Sequence, residues 1–120
     1  MSIDNDSISV TVKITHNFTR HQIEEFLVCA LEGGSNYWIK EVEPVKEGDD
    51  VYEAPFGLGL KVTDLEGQTN YLNYSAFHRG LQAMADNYPR HMGDIISKND
   101  DATTADVFLQ CCLFGQLVYG

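Results

Sequence analysis

The sequence predicts an α+β fold: an antiparallel sheet of about four to five strands with about three helices packed on one face, the C-terminal helix buried. Three observations carry this prediction. Stretches with strand-like alternation cluster between residues 37 and 74. Stretches with helical spacing flank that cluster, at 19–34 and 75–88. The last residues, A-D-V-F-L-Q-C-C-L-F-G-Q-L-V-Y-G from Ala105, are apolar apart from Asp106, Gln110 and Gln116. Strands grouped between helices favour segregated layers, and a helix apolar on nearly every side belongs inside a domain. The fold is therefore expected to close at its C-terminus.

The elements follow in order. Ile8, Val10, Val12 and Ile14 alternate with Ser7, Ser9, Thr11 and Lys13, which predicts a half-buried strand over 7–15. Thr19 with Gln22 three residues on forms a capping box. Ile23, Phe26, Leu27, Ala30 and Leu31 then mark the buried stripe of a helix, and Gly33 or Gly34 should end it in a left-handed cap. Tyr37 to Val45 reads as a strand, Glu47 to Asp50 as a turn, and Val51 to Ala54 as a short strand limited by Pro55. Leu58, Leu60 and Val62 alternate with Gly59, Lys61 and Thr63. Asp64-Leu65-Glu66-Gly67 is turn chemistry, and the chain returns over Gln68 to Tyr74. Ser75 is placed to cap a helix carrying Phe77, Leu81, Met84, Ala85 and Tyr88, which Pro89 closes. Residues 90–101 read as irregular, with a helical turn near Gly93 to Ile96. Thr103 or Thr104 starts the final helix.

The totals bound the function classes. The 120 residues make one domain, 1–120, large enough for a core without staples, with 1–6 expected to be frayed. Eighteen acids against eight Lys and Arg leave a net charge of −10, which repels nucleic acid and anionic membranes and suits a partner with a basic surface. No apolar run reaches the roughly 20 residues of a membrane span. The polar, acidic N-terminus lacks the basic start of a signal peptide, so a cytoplasmic protein is expected. Cys29, Cys111 and Cys112 read as small buried hydrophobes. His16, His21, His78 and His91 have no ligand spacing. No metal, cofactor or catalytic residue is expected.

Three constellations could carry function. At the first helix's end, Gly33 and Gly34 would let backbone approach a ligand, and Asn36, Tyr37 and Trp38 offer hydrogen bonds and stacking surfaces for a nucleobase. The plainer reading is that the glycines end a helix and the aromatics fill the core. No phosphate-loop spacing occurs there. Asp106 and Gln110 lie one helical turn apart. Together they could meet a ligand or a backbone group, or cap the helix and satisfy a neighbouring loop, and a buried Asp106 could bond the Gly33–Asn36 loop. Finally, Glu41, Glu43, Glu47, Asp49, Asp50 and Glu53 surround a single Lys46. On a strand, Glu41 and Glu43 share a face about 6.6 Å apart, close to phosphate spacing. Such a ribbon could occupy a groove built for nucleic acid, or simply be a charged edge that resists aggregation.

The stretches Ala30-Leu31-Glu32-Gly33-Gly34-Ser35-Asn36-Tyr37-Trp38-Ile39 and Ala105-Asp106-Val107-Phe108-Leu109-Gln110 with Phe114-Gly115-Gln116-Leu117-Val118-Tyr119-Gly120 resemble a group of small proteins encoded by bacteriophages and prophages. The resemblance implies a phage origin and action in the host bacterial cytoplasm. It supplies no catalytic residues. The resulting expectation is a non-enzymatic inhibitor that binds a host or defence protein, anti-CRISPR-like, through an acidic surface imitating nucleic acid. The alternatives are a binder of a small nucleotide or defence signal at Gly33–Trp38, and a structural or assembly accessory of the phage particle.

Overall fold

The computed structural model describes residues 7–120, so the expected fraying of 1–6 lies outside the described residues. Helix α1 spans Arg20–Cys29. Its capping box forms as the sequence predicts: the Gln22 amide donates to the Thr19 hydroxyl at 3.2 Å, and the Thr19 amide donates to the Gln22 side chain at 2.9 Å.

The expected left-handed glycine cap does not form. The helix widens into a π turn, Ala30–Gly34, and the Ser35 amide donates to the Ala30 carbonyl at 2.8 Å. Neither Gly33 nor Gly34 has a positive φ. Gly34 is needed for space instead, since a Cβ there would run into the carbonyl of Ala102.

The sheet has three strands, β1 Ile39–Pro44, β2 Leu60–Asp64 and β3 Thr69–Leu72, in the antiparallel order β1-β2-β3. Val42 lies opposite Val62, and Val62 opposite Asn70, with a bulge between Ile39 and Glu41. Four or five strands were expected, and two of those segments take other forms. Residues 51–54 form turns leading into a 3₁₀ turn, Ala54–Phe56. The cause is local: the Asp50 carbonyl accepts from the amides of Glu53 and Ala54, and its carboxylate accepts from the Tyr52 amide at 3.2 Å. That curls the backbone before a strand can form, and Pro55 is buried at the start of the 3₁₀ turn.

Residues 7–15 are exposed and pair with no strand of the sheet. The alternation there is real, but it faces solvent on both sides.

Helix α2 spans Tyr74–Asn87 and is capped by Asn73, not Ser75; the Asn73 side chain accepts from the Ala76 amide at 2.9 Å. Pro89 both closes α2 and opens α3, Pro89–Ile96, at a first-turn position where its missing N–H costs nothing. This helix is fuller than the single turn the sequence suggested. Helix α4 spans Ala102–Phe114. Asp101 caps its start, and Gly115 with φ 76° ends it.

α4 is the core. Every residue from Thr104 to Cys112 is buried, and the helix packs against α1, the π turn, α2, α3 and β3. Phe108 meets the Phe26 ring edge-on at 5.4 Å and stacks with Phe77 at 6.1 Å. The crossing with α2 is close. A Cβ on Gly80 would stand 2.5 Å from the Cys112 Cα, so only glycine lets the two backbones approach.

Phe108→Ala and Leu109→Ala should each destabilise by about 2–5 kcal/mol. Gly80→Ala, which inserts a methyl between two backbones, should cost about 1–3 kcal/mol. Urea unfolding of the three variants measures this; midpoints equal to wild type would refute the packing described.

Candidate functional site

The Asp106 carboxylate, on the second turn of α4, accepts four hydrogen bonds. The π turn and the residues after it deliver three of its four donors. Oδ1 accepts from the Ser35 hydroxyl and the Trp38 indole N–H, each at 2.7 Å. Oδ2 accepts from the Tyr37 hydroxyl at 2.7 Å and from Gln110 Nε2 at 3.0 Å. Asp106 is 7% exposed, so an unpaired carboxylate here would be costly. The sequence expectation that Asp106 would bond the Gly33–Asn36 loop is met through Ser35.

Gln110 extends the network to the chain's last residues. Its Oε1 accepts from the amides of Val118 and Tyr119, both at 2.8 Å, and its Nε2 donates to the Tyr119 carbonyl at 3.1 Å. The Leu117 amide donates to the Tyr88 hydroxyl at 2.9 Å. Tyr119 then lies flat on Trp38, with ring centroids 5.3 Å apart and planes 3° from parallel. Its hydroxyl pKa is raised by burial and by Asp64. Asp64 itself holds the turn after β2 through its Oδ1, which accepts from the amides of Glu66 and Gln68. Its buried Oδ2 has no partner in hydrogen-bond geometry. The Tyr37 hydroxyl is pushed up to about 12, first by burial and then by its bond to Asp106.

This geometry decides how the aromatic loop is used. Gly33 and Asn36 are exposed and Tyr37 is half-exposed, but Trp38 is 1% exposed. Its indole N–H is spent on Asp106 and one ring face is covered by Tyr119. Gly34 lies against the first residue of α4. The loop residues proposed to stack a nucleobase are brought together, yet Trp38 is part of the core. A hollow of about 450 Å³ borders Tyr37, His91, Asp106 and Tyr119. The carboxylate at its wall already accepts four hydrogen bonds, so what the arrangement does chemically is hold the fold closed.

The acidic residues are arranged differently. Glu41 and Glu43 are exposed on β1, an outer strand of the sheet, with Thr63 and Lys61 opposite them. Glu47, Asp50 and Glu53 continue the exposed run, and Asp49 is half-buried. None of the six takes part in an ion pair among the described residues. Asp50 has a local task in the turn that ends at Tyr52. Glu32, just before the glycines, accepts from the Tyr52 hydroxyl at 2.7 Å and ties this loop to the π turn. Nothing in the spacing of Glu32 and Tyr52 signalled that contact.

Among the described residues no group of three His, Cys, Asp or Glu converges as a metal site would require. Burial pushes the Cys111 thiol up to about 11 and the Cys112 thiol well above its ordinary value. Neither forms a thiolate near neutral pH. Cys29, which the sequence placed with them, is only partly buried.

No protein-family model, curated protein or solved structure matches the chain. No helix among the described residues is long and apolar enough to cross a membrane.

Asp106→Asn replaces one acceptor oxygen by a donor facing other donors. It should destabilise by about 1–3 kcal/mol in urea unfolding, and an unchanged midpoint would contradict the network. A raised phenol pKa favours the protonated native state. The Tyr37 contribution is therefore present below pH 10 and lost as pH rises through about 12. Wild type should lose stability more steeply than Tyr37→Phe over that range, as read by thermal melts at stepped alkaline pH. Parallel curves would show that Tyr37 does not titrate as described.

Proposed function

We propose that this chain is a non-enzymatic binding protein that presents the acidic face of β1 and the following loop to a basic protein surface. The observation that carries the reading is the continuous exposure of Glu41, Glu43, Glu47, Asp50 and Glu53 without ion-pair partners among the described residues. A solvated cluster of one sign steers a partner of the opposite sign and sets which partners are refused. The Asp106 network closes the fold just before β1, through Ser35, Tyr37 and Trp38.

The resemblance to small phage-encoded proteins directs the proposal further. Such a protein would act in a bacterial host by occupying a surface that otherwise receives nucleic acid, as an inhibitor of a host or defence protein. The burial of Trp38 beneath Tyr119 weighs against the small-nucleotide reading.

Glu43, Glu47 and Glu53 are exposed, and their carboxylates make no hydrogen bond among the described residues. Replacing all three with Lys takes the net charge from −10 to −4, since each substitution adds two units. The variant should melt as wild type does. It should lose the host protein that wild type retains at low ionic strength, and high salt should release that protein from wild type. Retention of the same protein by the folded triple variant would overturn the acidic-surface reading.

A further inference from the structure

We propose that residues 7–15 are an interface between two copies of this chain, in which the two arms pair as an antiparallel ribbon centred on Thr11. The arm is exposed along its length, with Ile8, Val10, Val12 and Ile14 at 92%, 80%, 71% and 72%. Its backbone makes no hydrogen bond among the described residues. Four large apolar side chains at alternate positions of a segment outside any helix or strand, with backbone groups free of partners among the described residues, have the pattern of a strand that lacks its neighbour.

The pattern of the arm says what that neighbour is. Ile8-Ser9-Val10-Thr11-Val12-Lys13-Ile14 reads nearly the same in both directions about Thr11. In an antiparallel pair with its two-fold axis at Thr11, Ile8 of one copy faces Ile14 of the other, and Val10 faces Val12. All eight apolar side chains then lie on one face of the ribbon. Lys13 faces Ser9, so no like charges oppose each other. The arm 7–15 holds no acid, in a chain whose net charge is −10, so two copies meet there without the repulsion they would suffer elsewhere.

The sheet is a poor alternative partner. β1 is interrupted by its bulge, ends at Pro44, which has no N–H, and carries Glu41 and Glu43. β3 is only four residues long.

A two-stranded ribbon alone is marginal in water and needs a surface beneath its apolar face. A groove of about 510 Å³ lies at the base of the arm, walled by Phe18, Tyr74, Leu81, Met92 and Ile96, and Ile14 already borders it. The ribbon therefore starts at the mouth of an apolar groove in each copy. At roughly 60–120 Å² of apolar surface per side chain, eight side chains supply roughly 500–1,000 Å². With the groove walls they cover, this reaches the roughly 1,000 Å² of a specific interface.

Size-exclusion chromatography with light scattering on the full chain tests the proposal. Wild type should show twice the mass of the 120-residue chain. Val10→Lys combined with Val12→Lys should return the single-chain mass and keep a cooperative melt, because neither side chain touches the core, and the melting temperature should no longer rise with protein concentration as it does in wild type. Thr11→Cys tests the register. Residues directly opposite in an antiparallel pair have Cα atoms about 4.5–5.5 Å apart, within disulfide reach. Mild oxidation should convert most of Thr11→Cys to a linked dimer, while Ser9→Cys and wild type stay unlinked. A monomeric wild type, or a dimer untouched by the double Lys variant, would overturn the proposal. So would a dimer that depends on the arm but in which Thr11→Cys does not link, since the arm would then seat in the groove of the other copy instead of pairing with its arm.

Discussion

One carboxylate fixes the relation between the two halves of this chain. Asp106 stands on the central helix, and the residues it binds, Ser35, Tyr37 and Trp38, lie about seventy positions earlier in sequence. Four donors converge on two oxygens, which is the full capacity of a carboxylate. The three donors before β1 cannot be satisfied elsewhere without moving the π turn that delivers them. The amide of Gln110 repeats the arrangement one turn on, binding main-chain groups of Val118 and Tyr119. Two polar residues of α4 thus turn a uniformly apolar helix into one with a fixed rotation and a fixed depth. Hydrophobic burial alone, being non-directional, would not choose among rotations of a helix apolar all round.

The second constraint is steric. Gly34 admits the first residue of α4, and Gly80 admits Cys112 near its other end. Both positions put backbone against backbone, with no side chain between that could adjust. The helix is therefore located at two points by contact and at two by hydrogen bonds. An unusual local structure, the π turn at Ala30–Gly34, leads directly into the donors Ser35 and Trp38. Wider turns of this kind often occur where a side chain must be re-aimed, and here the re-aimed groups are the donors of the network.

Much of this was legible in the sequence. The α+β class, the capping box at Thr19 and the buried final helix follow from spacing, and the bond between Asp106 and the glycine loop was one of the readings that the cost of a buried carboxylate allowed. Other features were not, for identifiable reasons. Gly33-Gly34 after a helical stripe normally signals a left-handed cap, and only the position of α4 reveals that Gly34 is there for space. Ser75 and Asn73 are both good caps, and the local sequence does not choose between them. Residues 51–54 carry strand-like side chains, but Asp50 supplies a turn that pre-empts pairing. The plainer reading, that the aromatics after the glycines fill the core, holds for Trp38, although nothing in the sequence announces that Tyr119 covers it, and fails for Tyr37, which is half-exposed. The alternation over 7–15 suggested a half-buried strand, but the segment is exposed and lies outside the sheet, because periodicity specifies two faces and not what covers either of them.

That last distinction separates the two surfaces this fold leaves open. β1 has the composition of a strand edge that discourages backbone pairing, through its bulge, its proline and its outward acids. A partner that meets it must do so through side-chain charge, which acts at a distance and tolerates variation in geometry. The arm is the opposite case: uncharged except for Lys13, unbulged, without proline, and apolar on one face. A partner that meets it must offer backbone hydrogen bonds and matching side chains in register, which is short-ranged and exacting. On the two proposals made above, acidity would select which foreign surface approaches, and the arm would set how the chain meets its own kind. The acidic run lies at 41–53 and the apolar arm at 7–15, with no residue in common, so each can be altered by substitution without changing the composition of the other.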